Sequence, residues 1–331
     1  MTRRFFDQPV PIRILRGTLL ALLLAGLAYL TPTPYMLEAP GRTVSASEML
    51  RIDDAKAHPV HGRFLMTTVL AEPATVLLCV YGLLDPAATL TRPEAKPKAG
   101  EHAQSPSSDA GQMELSQMFS TRVALEALGY PLKGHFLGLR VLGLLPDSPN
   151  AGKLEPGDLL VAIEDKAPPS MHDLRTVLDQ KEPQQTMQTR VQRGDSEIDL
   201  PLTVALLGGQ TRVGAALRPE FSQIELPVKI EFLSSNTSGA SAGLVFALQI
   251  YDQLSPRDLA RGRIIAATGT LDPRGQVGGI EGISYKLVSV ERAGAEIFLV
   301  PQENYEEIKT IPTSVKIIPV STFQEALDAL D

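Results

Sequence analysis

The chain has 331 residues, 44% of them hydrophobic, and a formal net charge of −7. That length accommodates about two folded units of ~100–200 residues plus appendages. A negative balance without basic blocks argues against nucleic acid as a partner. A single cysteine, Cys79, excludes an intrachain disulfide, and no Cys/His cluster has zinc-ligand spacing, so neither a metal nor a cofactor is expected.

Residues 17–30 are uninterrupted apolar or small, and the apolar character carries through Thr31-Pro32-Thr33-Pro34 to Leu37. Counted over 17–37, this is about the twenty residues that a bilayer requires. Arg3, Arg4, Arg13 and Arg16 precede it. The positive-inside bias then predicts a cytoplasmic tail over 1–16, a single-pass transmembrane anchor over 17–37, and an extracytoplasmic remainder. A cleaved signal peptide is the rival reading, with Ala25-Gly26-Leu27-Ala28 as its cleavage candidate.

The stretch 38–134 reads as an extracytoplasmic β segment, a linker and a helix. Strands are expected over 63–69 and 76–81; the second is apolar throughout and holds Cys79 as a buried structural thiol. Residues 91–112, His102 among them, are rich in Pro, Ala, Ser, Lys and Glu, a composition that buries too little surface to offset ordering entropy. A helix follows over 113–128, with Leu115, Phe119 and Val123 at four-residue spacing and Gly129 as its C-terminal cap.

From 135 to 207, short strand patterns alternate with turn signals: strand 137–144, turns at Pro146-Asp147-Ser148-Pro149 and Glu155-Pro156-Gly157-Asp158, strand 159–163, helix 171–180, and a hairpin around Arg193-Gly194-Asp195. The succession Leu145-Pro146-Asp147-Ser148-Pro149 … Leu154-Glu155-Pro156-Gly157-Asp158-Leu159-Leu160 resembles a PDZ domain, particularly the kind attached to bacterial proteases. The resemblance implies that Leu137, Gly138 and Leu139, in Phe136-Leu137-Gly138-Leu139, form a carboxylate-binding loop that receives a peptide C-terminus, the peptide then adding a strand to the sheet. Some such domains instead serve only to pack or gate. His135 and His172, flanking this unit, read as structural or exposed.

The last unit, 208–331, mixes strands (227–233, 263–268, 296–300, 315–320) with helices (to about 254, from the glycine-rich turn 274–282 to about 294, 303–309, and a last one capped by Ser321 and Gln324). Gly239-Ala240-Ser241-Ala242-Gly243 has the G-x-S-x-G form, but the hydrolase triad with that elbow needs a later histidine, and none follows His172. A nucleophilic Ser241 must therefore take a lysine as base, and downstream only Lys286, Lys309 and Lys316 are available. A base lysine must be neutral, so its pKa has to fall from ~10.4 towards ~7.5, which burial on an apolar helix face brings about. Lys286, before Leu287-Val288 in the first turn of its helix, suits this best, because the positive helix end also disfavours an ammonium.

Ser238-Gly239-Ala240-Ser241-Ala242-Gly243, Ile265-Ala266-Ala267-Thr268-Gly269-Thr270, Arg274-Gly275-Gln276-Val277 and Lys286-Leu287-Val288-Ser289-Val290-Glu291-Arg292-Ala293-Gly294 together resemble the proteolytic domain of Lon proteases. That resemblance implies Ser241 as nucleophile, Lys286 as base and Thr268 as a residue that helps to orient the lysine. There are departures: Asn236, Thr237 and Ser238 stand where many Lon proteins carry an acidic residue, Glu281 replaces a usual glycine, and Ser284-Tyr285 replaces a more charged pair. No G-x-x-x-x-G-K-[ST] occurs, so the ATPase of Lon is not expected.

The combined expectation is an α+β multidomain chain with an N-terminal transmembrane helix, a PDZ-like β-rich domain and a Lon-type α+β proteolytic domain. It resembles the bacterial membrane-anchored Lon-like PDZ proteases. The implied activity is an ATP-independent, membrane-anchored serine endopeptidase acting on unfolded extracytoplasmic polypeptides, presented through their C-termini, with self-association into a homo-oligomer. A non-catalytic PDZ scaffold carrying an inactive Lon-type domain is the alternative.

Overall fold

The computed structural model describes residues 10–52, 57–92, 109–132, 134–207, 209–222, 226–233 and 239–331. In chain order the elements begin with α1 (Val10–Leu30), β1 (Pro32–Ser45), β2 (Leu50–Ile52), β3 (Arg63–Thr75), α2 (Val76–Leu84), β4 (Thr89–Thr91) and α3 (Asp109–Ala127). There follow β5 (Phe136–Leu144), β6 (Leu159–Ile163), α4 (Met171–Asp179), β7 (Thr186–Arg193), β8 (Ser196–Thr203), β9 (Ala205–Leu207), β10 (Gln210–Arg212), β11 (Ala215–Phe221) and β12 (Ile230–Phe232). The last are α5 (Gly243–Leu254), β13 (Ile264–Ala267), β14 (Thr270–Leu271), β15 (Val277–Gly278), α6 (Ile283–Arg292), β16 (Ile297–Pro301), α7 (Gln302–Ile308), β17 (Lys316–Val320) and α8 (Phe323–Asp328). The chain divides into two compact units: one comprises 1–42, 68–100 and 284–289, and the other 43–67, 101–283 and 290–331.

The first unit corrects three expectations. Among the described residues no helix is long and apolar enough to cross a membrane, which overturns the transmembrane helix over 17–37, the single-pass cell-membrane location and the extracytoplasmic placement that followed from it. The physical reason is that the apolar run is split. The helix ends at Leu30, and 32–45 is extended. Its uninterrupted apolar part, 17–30, spans only roughly 21 Å at ~1.5 Å per residue, against a hydrocarbon thickness of ~30 Å. The strand expected over 76–81 is helical: Thr75 caps α2 by accepting from the Leu78 N–H at 3.4 Å, and an apolar run without periodicity could not distinguish the two states. Cys79 accordingly sits half-buried on that helix, 3.4 Å from the Thr33 hydroxyl, rather than inside a core strand. Elsewhere in this unit β1 pairs antiparallel with β4, Leu37 opposite Leu90.

The second unit holds two cores. In one, β3 (through Arg63–Leu65), β13, β16 and β17 run parallel, with Ile265 opposite both Phe64 and Ile297. Strands of such a sheet are covered on both faces, and β16 is buried at every position. Helices α3 and α5 and the β2–β12 pair close over it, so that Phe64, Phe119, Val123, Phe246, Ile265 and Leu299 share one cluster. The second core lies under the antiparallel sheet β11-β5-β6-β7-β8. Strand β7 alternates, with Met187, Thr189 and Val191 inward, the period-two signature of a sheet with one wet face. Helix α4 lies over this core through Leu174, Val177 and Leu178, and it begins with a capping box between Ser170 and Asp173. Strand β11, from beyond residue 207, joins the sheet beside β5, Leu139 facing Pro219.

Most of the linker expected over 91–112, with His102, lies outside the described residues, as do Asn236, Thr237 and Ser238. The last helix is capped one residue later than its sequence implied. Thr322, not Ser321, accepts from the N3 amide of Glu325 at 3.1 Å, while Glu325 accepts from the Ser321 N–H at 2.7 Å.

Candidate active site

Ser241 occupies the middle of a single 3-10 turn, Ala240–Ala242, that runs directly into α5. Gly239 enters the turn at φ 101°, a conformation that favours glycine. Two successive carbonyls of the turn are held from opposite sides. The Ala240 carbonyl accepts from the Gly243 N–H and from the Ser116 hydroxyl of α3 at 3.2 Å. The Ser241 carbonyl accepts from the Gly269 N–H at 3.0 Å and from the Thr268 hydroxyl at 3.2 Å. The Leu244 N–H donates back to the Gly269 carbonyl at 3.2 Å. Packing is too close for side chains at two glycines: a Cβ on Gly243 would lie 2.9 Å from the Leu271 nitrogen, and one on Gly269 would lie 2.7 Å from Val277 Cγ1. Thr268-Gly269 is thus the second strap of the serine turn, and the structure brings Thr268 and Ser241 together.

Lys286 is the fourth residue of α6, in the first unit, and is only 3% exposed. Ile283, Leu287 and Val290 are buried with it, at the spacing of one helix face. Burial lowers the lysine pKa from its ordinary 10.5 to about 8. Within that unit the helix is seated by the Ser289 hydroxyl, which donates to the Gly41 carbonyl at 3.0 Å, and by the Tyr285 hydroxyl, which donates to Glu38 at 3.4 Å. The other two downstream lysines are exposed, Lys309 being paired with Glu306.

Leu137, Gly138 and Leu139 lie inside β5 rather than in a loop before it. Leu139 is fully buried, and Gly138 sits at φ +136° where a Cβ would fall 2.1 Å from the Leu160 carbonyl oxygen. Strand β5 is paired on both sides, to β11 and to β6. A polypeptide tail that added here as a strand would have to displace β11 or β6.

Two polar contacts escaped the sequence reading. Ser116 meets its partner 124 residues away, a separation for which no local pattern gives a signal. Arg274, in the glycine-rich turn, donates to Asp173 at 2.9 Å and also to the Pro168 carbonyl, tying that turn to the start of α4. Here the Ser170-x-x-Asp173 spacing could have marked the cap in advance. Among the described residues no group of three or more His, Cys, Asp or Glu could hold a metal ion.

Residues 213–330 match the Lon protease (S16) C-terminal proteolytic domain. This is the segment that carries Ser241, Thr268 and Lys286. Curated relatives include the Lon protease of Neorickettsia sennetsu, 36% identical over 98 residues, and that of Azorhizobium caulinodans, 34% identical over 113 residues. The alignments cover 28% and 33% of this chain but only 12% and 13% of those proteins. Among solved structures, the PDZ domain of an SdrC-like protein from Listeria monocytogenes is similar over 25% of this chain and 90% of its own, at 22% identity and a TM-score of 0.24. The sequence matches support a peptidase.

Proposed function

We propose that the chain is a serine endopeptidase that hydrolyses peptide bonds in unfolded or extended polypeptides, with Ser241 as nucleophile and Lys286 as general base. The observation that carries this reading is the burial of Lys286, which brings its pKa to about 8 inside the segment that matches the Lon proteolytic domain. The assignment of the serine and the lysine to one reaction rests on the order of the motifs and on that family match. In the reaction, the neutral amine of Lys286 takes the hydroxyl proton as Ser241 Oγ attacks the scissile carbonyl. The proton passes to the leaving amine, an acyl-enzyme forms, and water activated by the same amine releases the acid product. Backbone N–H groups at the start of a helix suit the developing oxyanion. Thr268 supports the turn through its bond to the Ser241 carbonyl.

These 331 residues contain no phosphate-binding P-loop, so cleavage by this chain runs without ATP and takes substrates that are already extended. The PDZ-like unit selects or gates polypeptide tails. Occupation of both edges of β5 favours gating, because a tail can be captured there only if a neighbouring strand is given up. The family likeness extends the proposal to self-association. The test is incubation of the full chain with casein, with and without ATP, beside Ser241→Ala and Lys286→Ala. Cleavage by the unsubstituted chain alone, unaffected by ATP, is expected. Equal cleavage by either variant removes the dyad from the reading.

A further inference from the structure

The serine turn is held by a residue that lies outside the matched segment. Ser116, on α3 and only 3% exposed, donates its hydroxyl to the Ala240 carbonyl at 3.2 Å. A trans peptide is planar, with its C=O and the following N–H pointing in opposite directions. The group that fixes the Ala240 carbonyl therefore also fixes the direction of the Ser241 N–H, and with it the Cα from which the Ser241 side chain departs. The Thr268 and Gly269 bonds do the same for the next peptide plane, between Ser241 and Ala242. The turn is otherwise only one 3-10 turn long, a geometry with weak internal hydrogen bonding.

We infer that Ser116 is a positioning residue for the hydrolytic reaction, orienting the Ala240–Ser241 peptide so that the Ser241 N–H and Oγ hold the geometry the acylation step needs. The inference rests on the endopeptidase reading. Neighbouring side chains agree with such a role. Ser116 Oγ would lie 3.3 Å from a Cβ on Gly243, so the hydroxyl sits in close packing between α3 and the first residue of α5. The same helix also packs Phe119, Val123, Ala124 and Leu125 into the core around α5, so the donor is carried on a fixed support.

The test compares the unsubstituted full chain with Ser116→Ala and Ser116→Cys, reading kcat and KM on an unfolded substrate, thermal midpoint, and amide hydrogen exchange over 239–244. Loss of the hydroxyl is expected to lower kcat about ten- to a hundredfold, in the range of misplaced reacting groups and weakened oxyanion donors. KM stays within about twofold, Gly243 exchange quickens, and the weakly donating thiol recovers part of kcat. A Ser116→Ala chain with unchanged kcat overturns the inference, as does a loss that appears in KM or only in step with the thermal midpoint. If the unsubstituted chain cleaves nothing, the endopeptidase reading fails by that result. The exchange measurement then decides alone: unchanged exchange at 239–244 overturns the positioning role, and faster exchange retains it for the turn.

Discussion

Replacing Lys286 by methionine separates the cost of the lysine from its use. Its pKa falls from 10.5 to about 8 through burial, so the folded state disfavours the ammonium. The difference corresponds to about 3 kcal/mol at about 1.4 kcal/mol per pH unit. The sign follows from proton counting. Between pH 8 and 10.5 the unfolded chain binds the proton more tightly, so stability rises with pH across that window, and below pH 8 the full cost is present. Lys286→Met removes the charge at similar volume. It should therefore be more stable than the unsubstituted chain at pH 7, by up to about 3 kcal/mol, with the advantage shrinking from pH 8 and gone near 10.5. Denaturant unfolding at pH 6.5 to 10.5 reads this directly. The same variant should be inactive, while the unsubstituted chain gains kcat/KM tenfold per pH unit up to a midpoint of about 8. A methionine variant less stable at pH 7, or a stability gap that ignores pH, would refute burial as the source of the base.

Three further outcomes test the surroundings. Thr268→Val keeps the shape but removes the donor to the Ser241 carbonyl, and should cost about 1 kcal/mol of stability and lower kcat rather than raise KM. In Gly243→Ala, the new Cβ meets the Leu271 nitrogen at 2.9 Å, a backbone atom that cannot swing aside. The clash, at about 1–3 kcal/mol, should outweigh alanine's helix preference of ~1 kcal/mol and lower both thermal midpoint and activity. Asp252, 2% exposed, accepts from the Leu259 N–H, but its other carboxyl oxygen has no hydrogen-bond partner among the described residues. Burial raises its pKa from 3.8 to about 6, so stability should fall as pH climbs through that interval. Asp252→Asn should gain up to about 3 kcal/mol above pH 6 and nothing below pH 4, read by unfolding at both.

Patterns that depend on near neighbours were legible in the sequence, and those set by distant ones were not. The four-residue spacing of Leu115, Phe119 and Val123 located α3, because that spacing is what a packed helix face requires. The burial of Lys286 was legible from Leu287-Val288, since a helix face shared with buried residues takes the lysine in with it. The run around Cys79 was misread because continuous apolarity satisfies a buried strand and a helix equally, and only the Thr75 cap decides. The anchor was misread because length was counted through Thr31-Pro32-Thr33-Pro34, where the backbone leaves the helix. The straps on the serine turn come from α3 and from the end of β13. Thr268-Gly269 was visible through its motif, but nothing near Ser116 in the sequence marks it as the partner of Ala240.

The stretch that matches the Lon domain does not contain its whole core. Phe64 and Met66 of β3 and Phe119, Val123, Ala124 and Leu125 of α3 precede residue 213, yet they pack with Phe246, Ile265 and Leu299 in one cluster. Strand β2 likewise supplies the partner of β12. Of these added parts, α3 has the most consequential neighbours. Phe119 lies 5.7 Å from the ring of Phe221 in β11, which in turn lies 5.1 Å from Phe136 in β5, and Arg122 donates to the Gly134 carbonyl just before β5. One helical turn before Phe119, the same helix gives its Ser116 hydroxyl to the serine turn. Close-packed interiors pass on displacements instead of absorbing them. Separating β11 from β5 to admit a tail must move Phe221, whose ring also rests against Phe119 of α3. If the antiparallel sheet gates as proposed, the gate and the strap on the candidate nucleophile are carried by a single helix. Movement of β11 would then reach the orientation of Ser241 through Phe221, Phe119 and the Ser116 hydroxyl.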